Sequence, residues 1–338
     1  GGRTVVLCDQ VEDPRQAKGL VRREITRIVT PGTVADLEAL DPAAPSYLAC
    51  AVQAGPALVL GMLDLLAGEV LVSECAVGDL PDEIERMGVA ELLVEPATPV
   101  ADAKVPVHVI DEPLAGEAAQ ALLLARTGNA ELAGLSGASK TAACRALARL
   151  ILYAESTQRR PLAHLSPPRL CRPGDTLMLD EATRRNLELV RTQLDGESAG
   201  SLLAHLDHTR TAQGARLLRQ WLLFPLRDAR AIGRRLDSVE RLVRDRSVCA
   251  AVRAELAAVR DMERLIGRLA LARATPRDLG AVRATLARLP ELKRLLAMAD
   301  SPLGERWAAA DTLSDLGDLL CRALVDEPPL TASDGGIF

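Results

Sequence analysis

The hydrophobic period of this chain changes once, near residue 163, and that change limits the folds open to it. Before it, apolar runs of strand length alternate with turn signals. "YLACAV" and "ALVLGMLDL" are separated by "QAGP", which reads as a hairpin loop, and "GEVLVSEC" supplies a third strand. "LPDEIERMG" then reads as a short helix, "AELLVEP" and "VPVHVID" as strands, and "TAACRALARLILYAES" (141–156) as a closing helix. Three antiparallel strands followed by strand–helix alternation predict an α/β domain over residues 33–162, a mixed sheet flanked by helices. Beyond it the period is helical. Ile232, Leu236, Val239 and Val243 form one stripe; Met262, Leu265, Ile266 and Leu269 form a second; Leu279, Val282, Leu286 and Leu289 form a third. Asp180 is placed to cap a helix beginning at Glu181, and Thr275-Pro276 with Asp278 supplies the cap, first and third positions of another. Residues 163–338 are therefore predicted to be an all-α domain.

Residues 1–32 follow a different plan. The strand "TVVLC" (4–8), the charged turn "QVEDPRQAKG" (10–19) and the strand "EITRIV" (24–29) lead to a break at Pro31-Gly32. The piece is too short to hold a core and reads as the end of a preceding domain.

Composition narrows the function. The aromatic residues are Tyr47, Tyr153, Trp221, Phe224, Trp307 and Phe338, too few for a surface that grips single-stranded nucleic acid by stacking. The cores must be packed with Leu, Val, Ile and Ala. Leu217, Leu218, Trp221 and Leu222 are expected to help build one of them, with burial favoured over an interface role for Trp221. The cysteines, at 8, 50, 75, 144, 171, 249 and 321, include no C-x-x-C pair, so reduced thiols in a cytoplasmic protein are expected. The most apolar stretch, 57–72, carries Asp64 and Glu69 and is too short to span a membrane. The N-terminus lacks the pattern of a signal peptide. A net charge of −5 hides an asymmetry. Residues 30–162 carry 8 Lys and Arg against 18 Asp and Glu, a balance of −10, whereas residues 205–294 carry 20 against 10, a balance of +10. An acidic middle suited to a protein partner and a basic helical stretch compatible with DNA follow from that division.

No catalytic constellation emerges. "GLSGASKTAA" (134–143) nearly matches the P-loop pattern, but serine stands at 139 where the phosphate cradle needs glycine, and no buried strand precedes it. Lys140-Thr141 is expected to begin a helix instead. "HLDH" (205–208) offers two histidines, with His108 and His164 distant in sequence, and no metal is expected. Asp64, Glu69, Glu74 and Asp111 could be imagined as the ligands of a two-metal nuclease, yet no local arrangement singles them out. There is no G-x-S-x-G or H-E-x-x-H.

Longer stretches are more specific. "VVLCDQVEDPRQAKGLVRREITRIVTPGT" (5–33), "GDTLMLDEATRRNLELV" (174–190), "SLLAHLDHTRTAQGARLLRQWLLFPLRD" (201–228), "RLDSVERLV" (235–243), "MERLIGRLALARATPRDL" (262–279) and "LVDEPPLTASDGGIF" (324–338) together resemble the MutS family of bacterial DNA mismatch-recognition proteins. The resemblance implies the close of the mismatch-binding domain at 1–32, an RNase H-like connector at 33–162, and the first part of the helical core at 163–338. It implies a parent that binds mismatched double-stranded DNA, uses ATP and Mg, recruits MutL through the connector and forms a homodimer. The family's Phe-x-Glu wedge and a true Walker A are not found in these residues, so no catalytic role is expected for this portion, which would act as a relay. By family position, Arg22 and Arg23 are candidates for phosphate contact. The alternatives are a free-standing adaptor that binds a protein through its acidic domain, and an independent nuclease or NTPase.

Overall fold

Two units divide the chain: Gly1–Pro173 with Ile266–Leu271, and Gly174–Leu265 with Ala272–Phe338. The computed structural model describes residues 3–12, 20–96, 98–100, 103–112, 114–172, 174–298 and 301–337. Residues 13–19 of the expected charged turn, and Phe338, lie outside them.

The first unit begins with an antiparallel hairpin of β1 (Val5–Gln10) and β2 (Arg23–Val29), paired from Val5 opposite Val29 to Gln10 opposite Arg23 with a one-residue register shift between Leu7 and Cys8. Its main sheet follows. β3 (Tyr47–Ala54), β4 (Ala57–Asp64) and β5 (Val70–Ala76) form an antiparallel meander. After helix α1 (Leu80–Met87), β6 (Val89–Val94) runs parallel to β3, and β7 (Val107–Val109) runs parallel to β6. Helices α2 (Gly116–Thr127) and α3 (Gly137–Gln158) come next, and β8 (Arg169–Cys171) closes the far edge parallel to β5. The sheet order is β7-β6-β3-β4-β5-β8, the mixed sheet flanked by helices that the sequence predicts.

The central strands read as continuous apolar runs because both of their faces are covered: β4 is buried at every position but its first. Gly55-Pro56 turns β3 into β4, and Gly55 adopts φ +67°, the left-handed geometry that a tight two-residue hairpin requires. On α3, Leu147, Leu150, Ile151 and Ala154, which share one helix face by their spacing, are wholly buried in the core of this unit. The helix starts at Gly137, four residues before the predicted start. Each such leucine contributes about 1.5–3 kcal/mol by leaving water.

The second unit is helical. Its elements are α4 (Glu181–Asn186), α5 (Leu202–Leu206), α6 (Ala212–Leu223), α7 (Ala229–Arg244) and α8 (Arg246–Leu256). α9 (Met262–Ala270), whose residues from Ile266 onward are assigned to the first unit, α10 (Pro276–Leu286), α11 (Leu289–Met298), α12 (Pro302–Ala308) and α13 (Ser314–Ala323) follow. The two expected caps form. The Asp180 carboxylate accepts from the Thr183 amide at 2.7 Å, and Thr275 and Asp278 make a reciprocal capping box. Val248 and Val252 of α8 pack with Leu292, Leu295 and Leu296 of α11.

Two packing expectations need correction. The α7 stripe has the right period, but Ile232, Leu236, Val239 and Val243 are all exposed; Leu242, on another face, packs against the α8–α11 core instead. On α6 the buried residues are Ala215 and Leu223, whereas Leu217 is 46% and Trp221 39% exposed. Trp221 is not a core residue: the Arg235 guanidinium lies 3.7 Å from its ring centroid, so a cation–π contact replaces burial. Among the described residues no helix is long and apolar enough to cross a membrane.

Candidate functional site

The hairpin carries both candidate phosphate contacts. Arg22 immediately precedes β2, and its side chain, 71% exposed, pairs with Glu24. Its backbone amide donates to the Glu12 carboxylate at 3.1 Å. Arg23 opens β2 opposite Gln10, is exposed, and forms no ion pair with a described residue. The two neighbours therefore differ electrostatically: Arg22 is already partly neutralised, while Arg23 offers its charge to solvent. At the base of the hairpin, Arg27 is buried and binds Asp36 at 3.1 Å.

The chain crosses from hairpin to sheet through Thr30-Pro31-Gly32-Thr33, where a set of polar contacts gathers that no local pattern announces. Gly32 donates its amide to Glu91 Oε2 at 2.8 Å, across 59 residues of sequence. Glu91, on β6, is completely buried. Its Oε1 accepts from the Tyr153 hydroxyl of α3 at 2.6 Å, and His108 Nε2 of β7 lies 3.2 Å from the same oxygen. Burial first, and then the bond to Glu91, hold the Tyr153 hydroxyl well above the ordinary tyrosine range, so it stays a proton donor. A second set, centred on the buried Arg149, lies nearby in sequence. Glu95 pairs with Arg145 and, at 3.3 Å, with Arg149, whose other nitrogen donates to the Ile110 carbonyl at 3.2 Å.

The motif candidates resolve into structural roles. Residues 134–143 do not form a strand–loop–helix cradle: Ser136 is the N-cap position of α3, and Ser139 donates its hydroxyl to the Glu74 carboxylate at 2.7 Å. That acceptor carboxylate, facing the first turn, does not fit a bound phosphate. Asp64 closes a turn by accepting from the amides of Leu66 and Ala67 at 3.0 and 2.9 Å, and Glu69 accepts from the Tyr47 hydroxyl at 2.5 Å and pairs with Arg169. Asp207, between the two histidines, accepts from the Thr209 amide and hydroxyl. Among the described residues no group of three His, Cys, Asp or Glu side chains is placed to hold a metal.

Several arginines of the basic stretch are also committed. Arg216 binds Asp261 through two nitrogens at 2.7 and 2.8 Å and reaches Glu263 at 2.7 Å. Arg283 clasps the carbonyls of Leu324, Val325 and Asp326, pinning the segment after α13 to α10. Part of the positive charge seen in the sequence thus serves packing.

Three family models match in order along the chain: MutS domain I over residues 1–38, MutS domain II over 46–166 and MutS domain III over 182–338. Among similar proteins, the DNA mismatch repair protein MutS of Methanothrix thermoacetophila is 36% identical, over 100% of this chain and 39% of its own length. The MutS protein of Syntrophomonas wolfei is 36% identical over 100% of this chain and 41% of its own, and that of Symbiobacterium thermophilum 37% over 100% and 40%. The chain thus spans about two fifths of the length of the curated relatives it matches. With a mixed-sheet unit where domain II matches and a helical unit where domain III matches, the chain belongs to the MutS family of DNA mismatch repair proteins.

Proposed function

We propose that this chain is the relay portion of a mismatch-repair protein. In this reading residues 1–32 are the edge of the mismatch-binding domain, 33–162 the connector and 163–338 the first part of the core. The whole protein binds mismatched double-stranded DNA in the cytoplasm under the control of ATP and Mg, acts as a homodimer and recruits MutL through the connector. What carries the reading is the ordered match of three MutS domains across the chain. None of the described residues is assigned to ATP or Mg, since the one stretch resembling a phosphate cradle is an ordinary helix start whose Ser139 is held by Glu74. The relay role fits the build of the first unit. α3, 22 residues long, is a stiff strut of about 33 Å that packs along β2, β3 and β4. Stiff elements of this kind can carry a two-state rearrangement that ligands at either end bias.

Arg23 provides the test on DNA. In the complete protein, Arg23→Ala is expected to weaken duplex binding. Removing one cation from the phosphate backbone should also make the dependence of log affinity on log salt shallower by about 0.9. Arg22→Ala should change the slope less, because Glu24 already pairs with the Arg22 guanidinium. Fluorescence anisotropy across a salt series measures both slopes. An Arg23→Ala slope equal to wild type removes Arg23 from the DNA-contacting surface.

A further inference from the structure

The crossing between hairpin and sheet is built as a lock rather than a hinge. Thr30 and Thr33 are buried, and they close a turn on themselves: the Thr33 amide donates to the Thr30 carbonyl, and the Thr30 amide to Thr33 Oγ1, each at 3.0 Å. Gln158, at the end of α3, donates its side-chain amide to the Thr33 carbonyl at 3.0 Å. Between them Gly32 presses so closely on β3 and β6 that a Cβ there would sit 2.8 Å from Leu48 Cδ1 and 2.9 Å from Glu91 Cβ. Glu91 is the common partner. One carboxylate oxygen takes the crossing's Gly32 amide; the other takes the Tyr153 hydroxyl of α3 and faces His108 of β7.

A buried carboxylate is costly unless donors surround it, and an apolar side chain would fill the same space more cheaply. What an apolar side chain could not do is tie three separate elements to one point. We propose that Glu91 is a positioning residue that locks the crossing, so that the β1–β2 hairpin and the mixed sheet move as one rigid body and a displacement of the hairpin reaches α3 undiminished. The lock follows from the contacts alone. That the displacement originates in bound DNA rests on the MutS reading, and the experiment below uses no DNA, so the two can fail separately.

Spin labels carried on non-canonical residues at two exposed positions, Val6 on β1 and Gln53 on β3, report the spread of distances between hairpin and sheet in the 338-residue chain. Wild type is expected to give one narrow distance distribution. In Glu91→Ala the distribution should broaden at least twofold and the Gly32 amide should exchange roughly tenfold faster or more, the effect expected when a charge-assisted hydrogen bond is removed, while amides of β4 keep their protection. Glu91→Gln keeps the volume and one acceptor and should fall between the two. A broad wild-type distribution, or an unchanged one in Glu91→Ala, overturns the proposal. If Glu91→Ala strips protection from β4 as well, Tyr153→Phe and Glu91→Gln carry the same readout, and no broadening in either overturns it equally.

Discussion

Leu147→Ala is expected to lower the stability of the first unit by about 2–5 kcal/mol, a large share of what a domain of this size possesses. Leu147 is 1% exposed on the sheet-facing side of α3, and its Cδ2 rests on Gly61 of β4, where an added Cβ would stand 3.0 Å away. The leucine fills a hollow that the glycine leaves in the strand, so truncation opens a cavity that rigid neighbours cannot close. The pairing gives a sharper expectation than the single change. Gly61→Ala alone is expected to cost about 1–3 kcal/mol by overpacking against Leu147 and Ala146. Introduced together with Leu147→Ala, it should cost less than the sum, because the new methyl group enters the space just vacated. Both tyrosines lie in the first unit and both tryptophans in the second. Tyrosine fluorescence during urea unfolding, in a Trp221→Phe/Trp307→Phe background, therefore follows this unit alone. Strict additivity of the two changes would show that α3 does not seat on Gly61.

The second large effect is electrostatic. Glu95→Ala is expected to cost about 3 kcal/mol or more, since it leaves Arg149, whose side chain is 6% exposed, charged and without its carboxylate. The Arg149 guanidinium has little in reserve: its Nε already lacks a hydrogen-bond partner, and one terminal nitrogen is spent on the Ile110 carbonyl. The cost should therefore exceed that of breaking an exposed ion pair such as Arg244–Glu240, which is worth under about 1 kcal/mol. Replacing both Glu95 and Arg149, as Glu95→Leu with Arg149→Met, should recover part of the stability, because the buried Arg149 charge no longer needs compensation, while Arg145, 31% exposed, still loses Glu95. The same tyrosine-based unfolding curves measure it. A double variant no more stable than Glu95→Ala would show that the pair does more than satisfy itself.

These sites also mark how far the sequence could be read. The strands and α3 were legible because their burial is written into local spacing: Leu147, Leu150, Ile151 and Ala154 share a helix face whatever lies opposite. The α7 stripe shows the limit of the same logic. Spacing says that Ile232, Leu236, Val239 and Val243 share a face, but not whether anything in these residues covers it, and in the structure that face is open. α2 escaped notice because its alanines and leucines surround the helix, leaving only Ala119, Leu123 and Thr127 buried. β8 is three residues long and follows two prolines. Glu91 was invisible for a different reason. In "AELLVEP" it looks like any carboxylate on a half-exposed strand, and its burial depends on Gly32 and Tyr153, 59 and 62 residues away. Arg22 and Arg23, adjacent in sequence, became distinguishable only when the acids around Arg22 were placed.

The relay account is tested most directly by the binding preference of the complete protein that carries this chain. Fluorescence anisotropy should compare its affinity for a duplex containing one mismatched base pair with that for the fully paired duplex of otherwise identical sequence, with and without ATP. The expected result is tighter binding to the mismatched duplex and a change in that preference when ATP is added. Equal affinity for the two duplexes, by a folded protein and irrespective of ATP, would contradict the account.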